Sequence, residues 1–112
     1  MTVSAWRIVK AGHARTAFTG EGARQAGGRW NSPGTRVVYA AGSLSLAMLE
    51  MLVHLESRQL LQRYVAFHVQ FDETLMAAVD PADLPRRWRV SPPPHAVQAV
   101  GDEWIAAGTS PV

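Results

Sequence analysis

Residues 18–55 read FTGEGARQAGGRWNSPGTRVVYAAGSLSLAMLEMLVHL, and the patterns in this stretch decide the fold. Its first half is rich in glycine and small polar residues with little periodicity, which predicts an ordered loop region with a short helix around Gly22–Gln25. Pro33 and Gly34 indicate a turn, and the run Thr35–Ala40 after it is rich in strand-forming residues. The stretch therefore predicts a loop, then a strand, and then a helix.

The predicted helix is the strongest local signal in the chain. Ser43 stands at its N-cap, where a hydroxyl accepts a hydrogen bond from an otherwise unpaired N–H of the first turn. The helix is predicted from Leu44 to about Leu61. Because its residues before His54 are apolar on nearly every side, we expect it to be largely buried.

Further strands and helices are predicted on both sides of this stretch. Ala5–Lys10 alternates apolar and basic residues, and Tyr64–Phe71 alternates cleanly between two faces, as a half-buried strand does. Asp80–Arg89 predicts a turn or short helix, Ser91–His95 a rigid connector, and His95–Gly108 a helix with Gly108 at its C-cap. The order strand, loop, strand, helix, strand, helix predicts an α+β fold with a small mixed, mostly antiparallel sheet and packed helices.

The predicted sheet is small for the apolar surface that the chain has to bury. Only about three strands are expected, and Thr109–Val112 is a candidate beginning of a fourth. Three or four strands would leave apolar faces uncovered. We therefore expect a single domain over residues 1–112 that lacks its C-terminal strands.

Composition narrows the classes of function. The 112 residues are 47% hydrophobic and 18% charged, which is typical of one globular domain rather than of a disordered chain. There is no cysteine, which excludes a disulfide scaffold, a zinc ribbon and a thiol nucleophile. MTVSAWRIVK at the N-terminus lacks the apolar core of a signal peptide, and the nearly apolar stretch Leu44–Leu55 is too short to span a bilayer. A cytoplasmic protein is therefore expected.

The net charge of +2 is unevenly distributed along the chain. Residues 1–40 contain six lysine or arginine residues against one acid, Glu21, whereas residues 41–112 contain five against eight acids. A basic first third attracts an anion such as a nucleotide pyrophosphate or a nucleic-acid backbone, or forms a solvated face that acids elsewhere balance. Charge alone leaves these alternatives open.

Three residues of the 18–55 stretch are candidates for chemistry. Glu50 stands in an apolar helical sequence, where burial of a carboxylate is costly unless it is paired or protonated; pairing with His54 one turn later is the structural alternative. Arg29 follows two glycines, and its guanidinium can grip phosphate or carboxylate oxygens as a fork or simply lie on the surface of a turn. Tyr39 ends the predicted strand near the helix start, where a tyrosine is usually a core residue.

Other familiar sites are not indicated. The four histidines show no metal-ligand spacing, so no metal site is predicted (His13, His54, His68 and His95). Gly20-Glu21-Gly22 lacks the full spacing of a dinucleotide-binding loop, and neither a Walker lysine motif nor a GxSxG elbow occurs.

Taken together, WRIV near the start, the 18–55 stretch and GDEW at residues 101–104 resemble, in the right order, the RES-domain family, the toxin component of bacterial toxin–antitoxin pairs. The specific part is an arginine in GGRWN, a tyrosine ten residues later and a glutamate eleven residues further on. The resemblance implies a fold like that of the ADP-ribosyltransferase toxins. It also implies NAD as the substrate and no permanently bound cofactor.

The resemblance further implies catalytic roles for Arg29, Tyr39 and Glu50. Arg29 would hold the anionic or carboxamide portion of NAD, Tyr39 would line the nicotinamide pocket, and Glu50 would contact the ribose and stabilise its oxocarbenium-like state. The family's serine lies downstream of GDEW, and Ser110 comes too early to match it, so the resemblance implies an incomplete catalytic set. The implied NAD-binding residues are Arg7, Gly28, Arg29, Asn31 and Tyr39.

Three classes of function stay open on the sequence. The first is a toxin that degrades NAD by hydrolysis or phosphorolysis and that a helix-turn-helix (Xre-like) antitoxin neutralises. The second is transfer of ADP-ribose to a cellular protein, and the third is an inactive remnant or a module that binds nucleic acid or the antitoxin. A homodimer, no membrane association, and contact with nucleic acid only through the antitoxin are the remaining expectations about partners.

Overall fold

The computed structural model describes residues 1–53 and 63–108. The chain forms two compact units, the first made of Met1–Phe18 with Tyr39–Met76 and the second of Thr19–Val38 with Ala77–Val112. Each unit therefore combines two separate segments of the chain. The described elements are the strands β1 (Thr2–Lys10) and β2 (Tyr64–Asp72), the helices α1 (Glu21–Ala26), α2 (Leu44–Val53) and α3 (His95–Ala106), and the 3-10 helices Ala11–Thr16, Glu73–Leu75 and Pro81–Asp83.

The first unit contains an antiparallel sheet of β1 and β2. Its register runs from Thr2 opposite Asp72 to Lys10 opposite Tyr64. Both predicted strands are confirmed, and β1 begins three residues earlier than Ala5. The alternation of β2 is confirmed as well, since its more buried face is apolar while the opposite face is more exposed (Val65, Phe67, Val69 and Phe71 against Ala66, His68 and Gln70).

Trp6 shows how this register arranges the exposed face of the sheet. Its main chain exchanges two hydrogen bonds of 2.8 Å with Ala41 on the outer edge of β1. Trp6 is therefore not hydrogen-bonded to its partner His68 on β2, and such pairs bring side chains close together. The two rings stack with their centroids 4.2 Å apart, and His68 Nε2 is 2.8 Å from Ser4 Oγ.

The predicted strand over Thr35–Ala40 is wrong. Residues 35–40 have no regular secondary structure, and only Ala41 forms an isolated bridge, to Trp6. Main-chain carbonyls of this segment accept hydrogen bonds from side chains instead. Thr35 O accepts one from Asn31, and Tyr39 O accepts one from Arg7. Strand propensity is a weak preference, and these tertiary contacts override it. The described residues thus contain two strands rather than the expected three.

Helix α2 begins as predicted but is not buried as predicted. Ser43 caps it, because the Leu46 N–H donates to Ser43 Oγ over 3.1 Å. Of its residues only Ala47 is buried, and Leu49 and Val53 are 57% and 66% exposed. The expectation of a largely buried helix is therefore wrong for these residues, because α2 packs against β1 of a two-stranded sheet, which covers one side of a helix. The rest of the predicted helix, 54–61, lies outside the described residues.

The remaining predictions concern short segments and the last helix. Helix α1 confirms the short helix expected around Gly22–Gln25, and the 3-10 helix and turns within 80–89 confirm the predicted turn region. Helix α3 confirms the helix predicted from His95, but its C-cap is Ala107 rather than Gly108, whose N–H donates to Ile105 O over 3.1 Å. The possible further strand at 109–112 lies outside the described residues.

The described elements confirm the α+β class. Within residues 1–53 and 63–108, no helix combines the length and the apolar character that are needed to cross a bilayer.

Candidate functional site

The loop that contains Arg29, residues 27–35, belongs to the second unit and is called the Arg29 loop below. It starts at Gly27, the C-cap of α1, whose φ of 72° lies in the left-handed region that favours glycine. A Cβ at Gly27 would also come within 3.0 Å of Pro33 Cδ. The Gly28 N–H donates to Asn31 O over 3.0 Å, which closes a tight turn around Arg29. Backbone geometry therefore requires the glycine directly before this turn.

Asn31 organises the Arg29 loop from inside. Its side chain is completely buried, and Nδ2 donates to Ala23 O over 2.8 Å and to Thr35 O over 3.0 Å, with a longer contact of 3.3 Å to Ser32 O. One amide therefore joins α1 to Ser32 and Thr35 of the loop. The geometry favours a structural role for this side chain, and its contact with NAD stays a prediction.

The Arg29 guanidinium is anchored by two main-chain carbonyls. Nη1 donates to Trp88 O over 2.7 Å and to Val90 O over 2.8 Å. Both bonds use the same nitrogen, so they do not engage Nε and Nη2. The Trp30 and Trp88 rings lie 6.0 Å apart beside this anchor. Arg29 is thus held by one nitrogen, while its other N–H groups are not part of the anchor.

Arg7 and Tyr39 meet in the first unit. Arg7 Nε donates to Ala17 O over 2.7 Å, and its Nη1 donates to Tyr39 O over 2.8 Å. Burial lowers the pKa of Arg7 below its ordinary value, because the charged form loses solvation. The structure therefore brings together two of the sequence-predicted residues, through the main chain of Tyr39.

Glu50 lies on α2 and is exposed. The expectation that its carboxylate is buried among apolar side chains is wrong, because the neighbouring Leu49 is itself exposed. His54, the alternative partner in the sequence, lies outside the described residues. Solvent and ligands can reach the Glu50 side chain. The cost of burying a carboxylate therefore gives no indication of function at this position.

The predicted site residues are divided between the two units. Three of them lie in the first unit (Arg7, Tyr39 and Glu50), and three lie in the second unit within a single loop (Gly28, Arg29 and Asn31). A joint site of Arg29, Tyr39 and Glu50 therefore stays a prediction.

Most of the basic residues that made the first third distinctive have partners within the protein. Arg7 and Arg29 donate to main-chain carbonyls, as described above. Arg24 and Arg36 bind the carboxylate of Glu21, with 2.8 Å from Arg24 Nε to Oε2 and 3.1 Å from Arg36 Nη2 to Oε2. The hydrogen bonds from Arg24, followed by weaker contributions from Gln25 and Arg36, lower the pKa of Glu21 to about 2. Four of the six basic residues of the first third are therefore engaged within the protein, two of them by Glu21 of the same third.

Helix α3 holds residues that sequence reasoning did not single out. Gln98 Nε2 donates to Gly28 O over 3.0 Å, and the Ser32 N–H donates to Asp102 Oδ1 over 2.9 Å. Hydrogen bonds from the Ser32 side chain, and then from its backbone, lower the pKa of Asp102 below its ordinary value. The signal in the sequence was GDEW itself, which supported the resemblance but had no role attached to any of its residues.

A family model and several known proteins that match this chain indicate the same family. The RES domain matches residues 4–112. The protein named Toxin Res from Yersinia enterocolitica is 36% identical over 105 residues, which cover 94% of this chain and 69% of that protein. Toxin Res from Photorhabdus laumondii is 32% identical over 105 residues, covering 94% and 67%. The Prs ADP-ribosylating toxin from Sphingobium sp. is 40% identical over 109 residues, covering 93% and 68%.

The family match includes the segments that carried the resemblance in the sequence. Arg29, Tyr39, Glu50 and the GDEW tetrapeptide all lie within residues 4–112. The α+β architecture of the described residues agrees with the ADP-ribosyltransferase-like fold expected for this family. The chain belongs to the RES domain family.

Proposed function

We propose that this chain is the toxin component of a toxin–antitoxin pair and that it consumes NAD by cleaving the nicotinamide–ribose bond. The observation that carries the proposal is the RES domain match over residues 4–112, which includes Arg29, Tyr39 and Glu50. The names of the relatives from Yersinia and Photorhabdus support the toxin part of the proposal.

The proposed reaction breaks the bond between the ribose carbon and the nicotinamide nitrogen. Nicotinamide leaves as a neutral molecule with the bonding electron pair, and an oxygen of water or phosphate forms the new bond to the ribose. Attack by water releases one proton to solvent and gives ADP-ribose, whereas attack by phosphate gives the phosphate ester of ADP-ribose. The ribose becomes positively charged as the bond breaks, so a carboxylate beside it lowers the barrier. Glu50 is the proposed carboxylate, and its exposure on α2 leaves it accessible to a ligand.

Exposure also sets a condition on how Glu50 acts. In water a charge pair a few ångströms apart is worth only about 1 kcal/mol, and the value rises as the local dielectric falls. Bound NAD must therefore displace water from the carboxylate before Glu50 stabilises the transition state strongly. This condition predicts that Glu50 contributes to kcat more than to KM.

Arg29 is the proposed anchor for the anionic portion of NAD. Its guanidinium is already held by Trp88 O and Val90 O through Nη1, so little side-chain freedom remains to be lost on binding. The Nε and Nη2 protons form the fork that suits two phosphate oxygens. In the first unit, the hydrogen bond from Arg7 to Tyr39 O supports the main chain from which the Tyr39 ring is proposed to contact nicotinamide.

The test is release of nicotinamide when the purified chain is incubated with NAD. Glu50→Gln removes the charge at nearly constant volume, and we expect a fall in kcat of about a hundredfold. Glu103→Gln makes the same change at an exposed position of α3 and is expected to keep the wild-type rate. Both variants are checked for wild-type circular dichroism spectra. The proposal is wrong if the wild type releases no nicotinamide in water or phosphate buffer, or if Glu50→Gln matches Glu103→Gln.

Transfer of ADP-ribose to a protein is the second candidate. It is favoured by the name of the Sphingobium relative, an ADP-ribosylating toxin. NAD labelled on its adenine separates the possibilities in one bacterial extract. Label on a protein band supports transfer, whereas label in free ADP-ribose or in its phosphate ester supports hydrolysis or phosphorolysis.

We also propose that an antitoxin neutralises this chain, which the toxin names of the relatives support. That the antitoxin is a helix-turn-helix protein is implied by the family resemblance alone. Co-expression with the protein encoded beside it is expected to restore growth and to suppress nicotinamide release. Growth inhibition that persists with intracellular NAD unchanged would contradict both the pairing and the NAD activity.

A further inference from the structure

One face of α3 contacts the Arg29 loop at three points. Gln98, Gly101 and Asp102 are three and four residues apart, which places them on the same side of the helix. Gln98 donates to Gly28 O, Asp102 accepts from the Ser32 N–H, and Gly101 lies against the carbonyl of Trp30. A Cβ at Gly101 would collide with that carbonyl oxygen, so only glycine permits this approach.

The two hydrogen bonds bracket Arg29 along the chain. Gly28 comes directly before Arg29 and Ser32 comes three residues after it, so α3 fixes the loop on both sides of the arginine. The hydroxyls of Ser32 and, to a smaller extent, Thr35 also contribute to the lowered pKa of the Asp102 carboxylate. A carboxylate accepts from all of these donors, whereas an asparagine would direct its amide protons at some of them.

We propose that Gln98 and Asp102 are positioning residues for Arg29: by holding Gly28 and Ser32 they set the direction from which the guanidinium meets an anionic substrate. The proposal depends on the proposed function only for the identity of that anion. The position of the loop rests on the contacts within the second unit. Gly101 has the supporting role of allowing α3 to approach the loop.

The first experiment measures the loop itself. In Asp102→Ala we expect amide hydrogen exchange at Ser32 to accelerate by about tenfold or more, because its N–H loses its acceptor. We also expect the Arg29 Nε–H resonance to shift. Amides of α1 and the middle of α3 keep their protection. Glu103→Ala, which removes an exposed carboxylate from the next position of α3, is the matched control and leaves Ser32 unchanged.

The second experiment measures the consequence for substrate. A displaced Arg29 weakens the grip on the anion, so Asp102→Ala is expected to raise KM for NAD by on the order of tenfold with a smaller change in kcat. Asp102→Asn keeps one acceptor oxygen and is expected to fall between wild type and the alanine variant. Glu50→Gln, in contrast, is expected to change kcat.

The outcomes separate this inference from the proposed function. The positioning role is overturned if amide exchange at Ser32 is unchanged in Asp102→Ala. It is also overturned if this variant loses activity through kcat while its KM for NAD stays at the wild-type value. If the wild type releases no nicotinamide, the proposed function fails, and exchange at Ser32 together with the Arg29 resonance decides the inference alone. Should Asp102→Ala fail to fold, Gln98→Ala removes the contact on the other side of Arg29 and is judged by the same Arg29 resonance and KM.

Discussion

Asn31 illustrates how a polar side chain becomes part of a core. Burial of an amide is unfavourable unless its hydrogen bonds are replaced, and Asn31 donates to main-chain carbonyls of α1 and of its own loop. The same rule holds across residues 1–53 and 63–108, where every buried side-chain nitrogen or oxygen has a hydrogen-bond partner. One enclosed amide therefore stabilises the Arg29 loop from inside, in addition to the contacts that α3 makes with it.

Asn31→Asp is expected to destabilise the protein by about 3 kcal/mol, because it replaces a donor with a buried negative charge that faces carbonyl oxygens. Urea denaturation followed by circular dichroism measures the change. Gln70→Glu makes the same exchange of amide for acid on the exposed face of β2 and is expected to be nearly neutral. Equal midpoint shifts for the two variants would show that the enclosure of Asn31 is not what matters.

At the scale of elements, α2 combines a well-formed start with a largely exposed body. The hydroxyl and the main-chain carbonyl of Ser43 accept from the N–H groups of Leu46 and Ala47, each over 3.1 Å. Ala47 is the buried residue of this helix, which packs against β1. The described part of α2 is therefore stabilised more by its cap and a narrow contact than by burial of its leucines.

Ser43→Ala is expected to lower the free energy of unfolding by about 1 kcal/mol, because an N–H of the first turn loses its acceptor. Ser45→Ala, two residues further on and inside the helix, is the matched control. Alanine has the highest helix propensity, so this second variant is expected to be neutral or slightly stabilising. Thermal unfolding of the two proteins checks the difference, and the same melting temperature for both would refute a capping role for Ser43.

At the scale of the whole molecule, acids with lowered pKa values link stability to pH, and Glu21 and Asp102 are among them. Arg24 is the main cause of the low pKa of Glu21, and Ser32 is the main cause of the low pKa of Asp102. A pKa that is lower in the folded state means that the unfolded state binds more protons as the pH falls. The stabilisation from these acids is therefore complete above their unfolded pKa values and is lost as the pH drops through the folded ones.

For Glu21 this window runs from its ordinary pKa of 4.5 down to about 2. Glu21→Gln is expected to flatten the fall in melting temperature across that range, whereas Glu103→Gln keeps the wild-type slope. Because Glu21 is in contact with solvent, 1 M salt is expected to reduce the difference between wild type and Glu21→Gln. A Glu21→Gln profile parallel to wild type would rule out this contribution.

Local patterns in the sequence were sufficient to predict the features that depend on residues close together in the chain. The alternation of Tyr64–Phe71 predicts which face of β2 is less exposed, because successive residues of a strand point to opposite faces. Ser43 predicts the start of α2 because its capping partner is three residues away. WRIV, the 18–55 stretch and GDEW, in that order, likewise carried the resemblance to the RES domain family, whose match covers residues 4–112.

Tertiary structure decided the features whose partners are distant in the chain. The segment 35–40 is not a strand, because Arg7, which is distant in the sequence, donates a hydrogen bond to the Tyr39 carbonyl. The role of Asp102 depends on Ser32, seventy residues earlier, and no local pattern connects the two. Glu50 is exposed because burial depends on which elements cover a helix, and the apolar sequence of the helix itself does not determine that. The sequence by itself thus determined the family, the two faces of β2 and the helix cap. The fold determined what holds Arg29, because hydrogen bonds to main-chain carbonyls depend on proximity in space rather than on residue type.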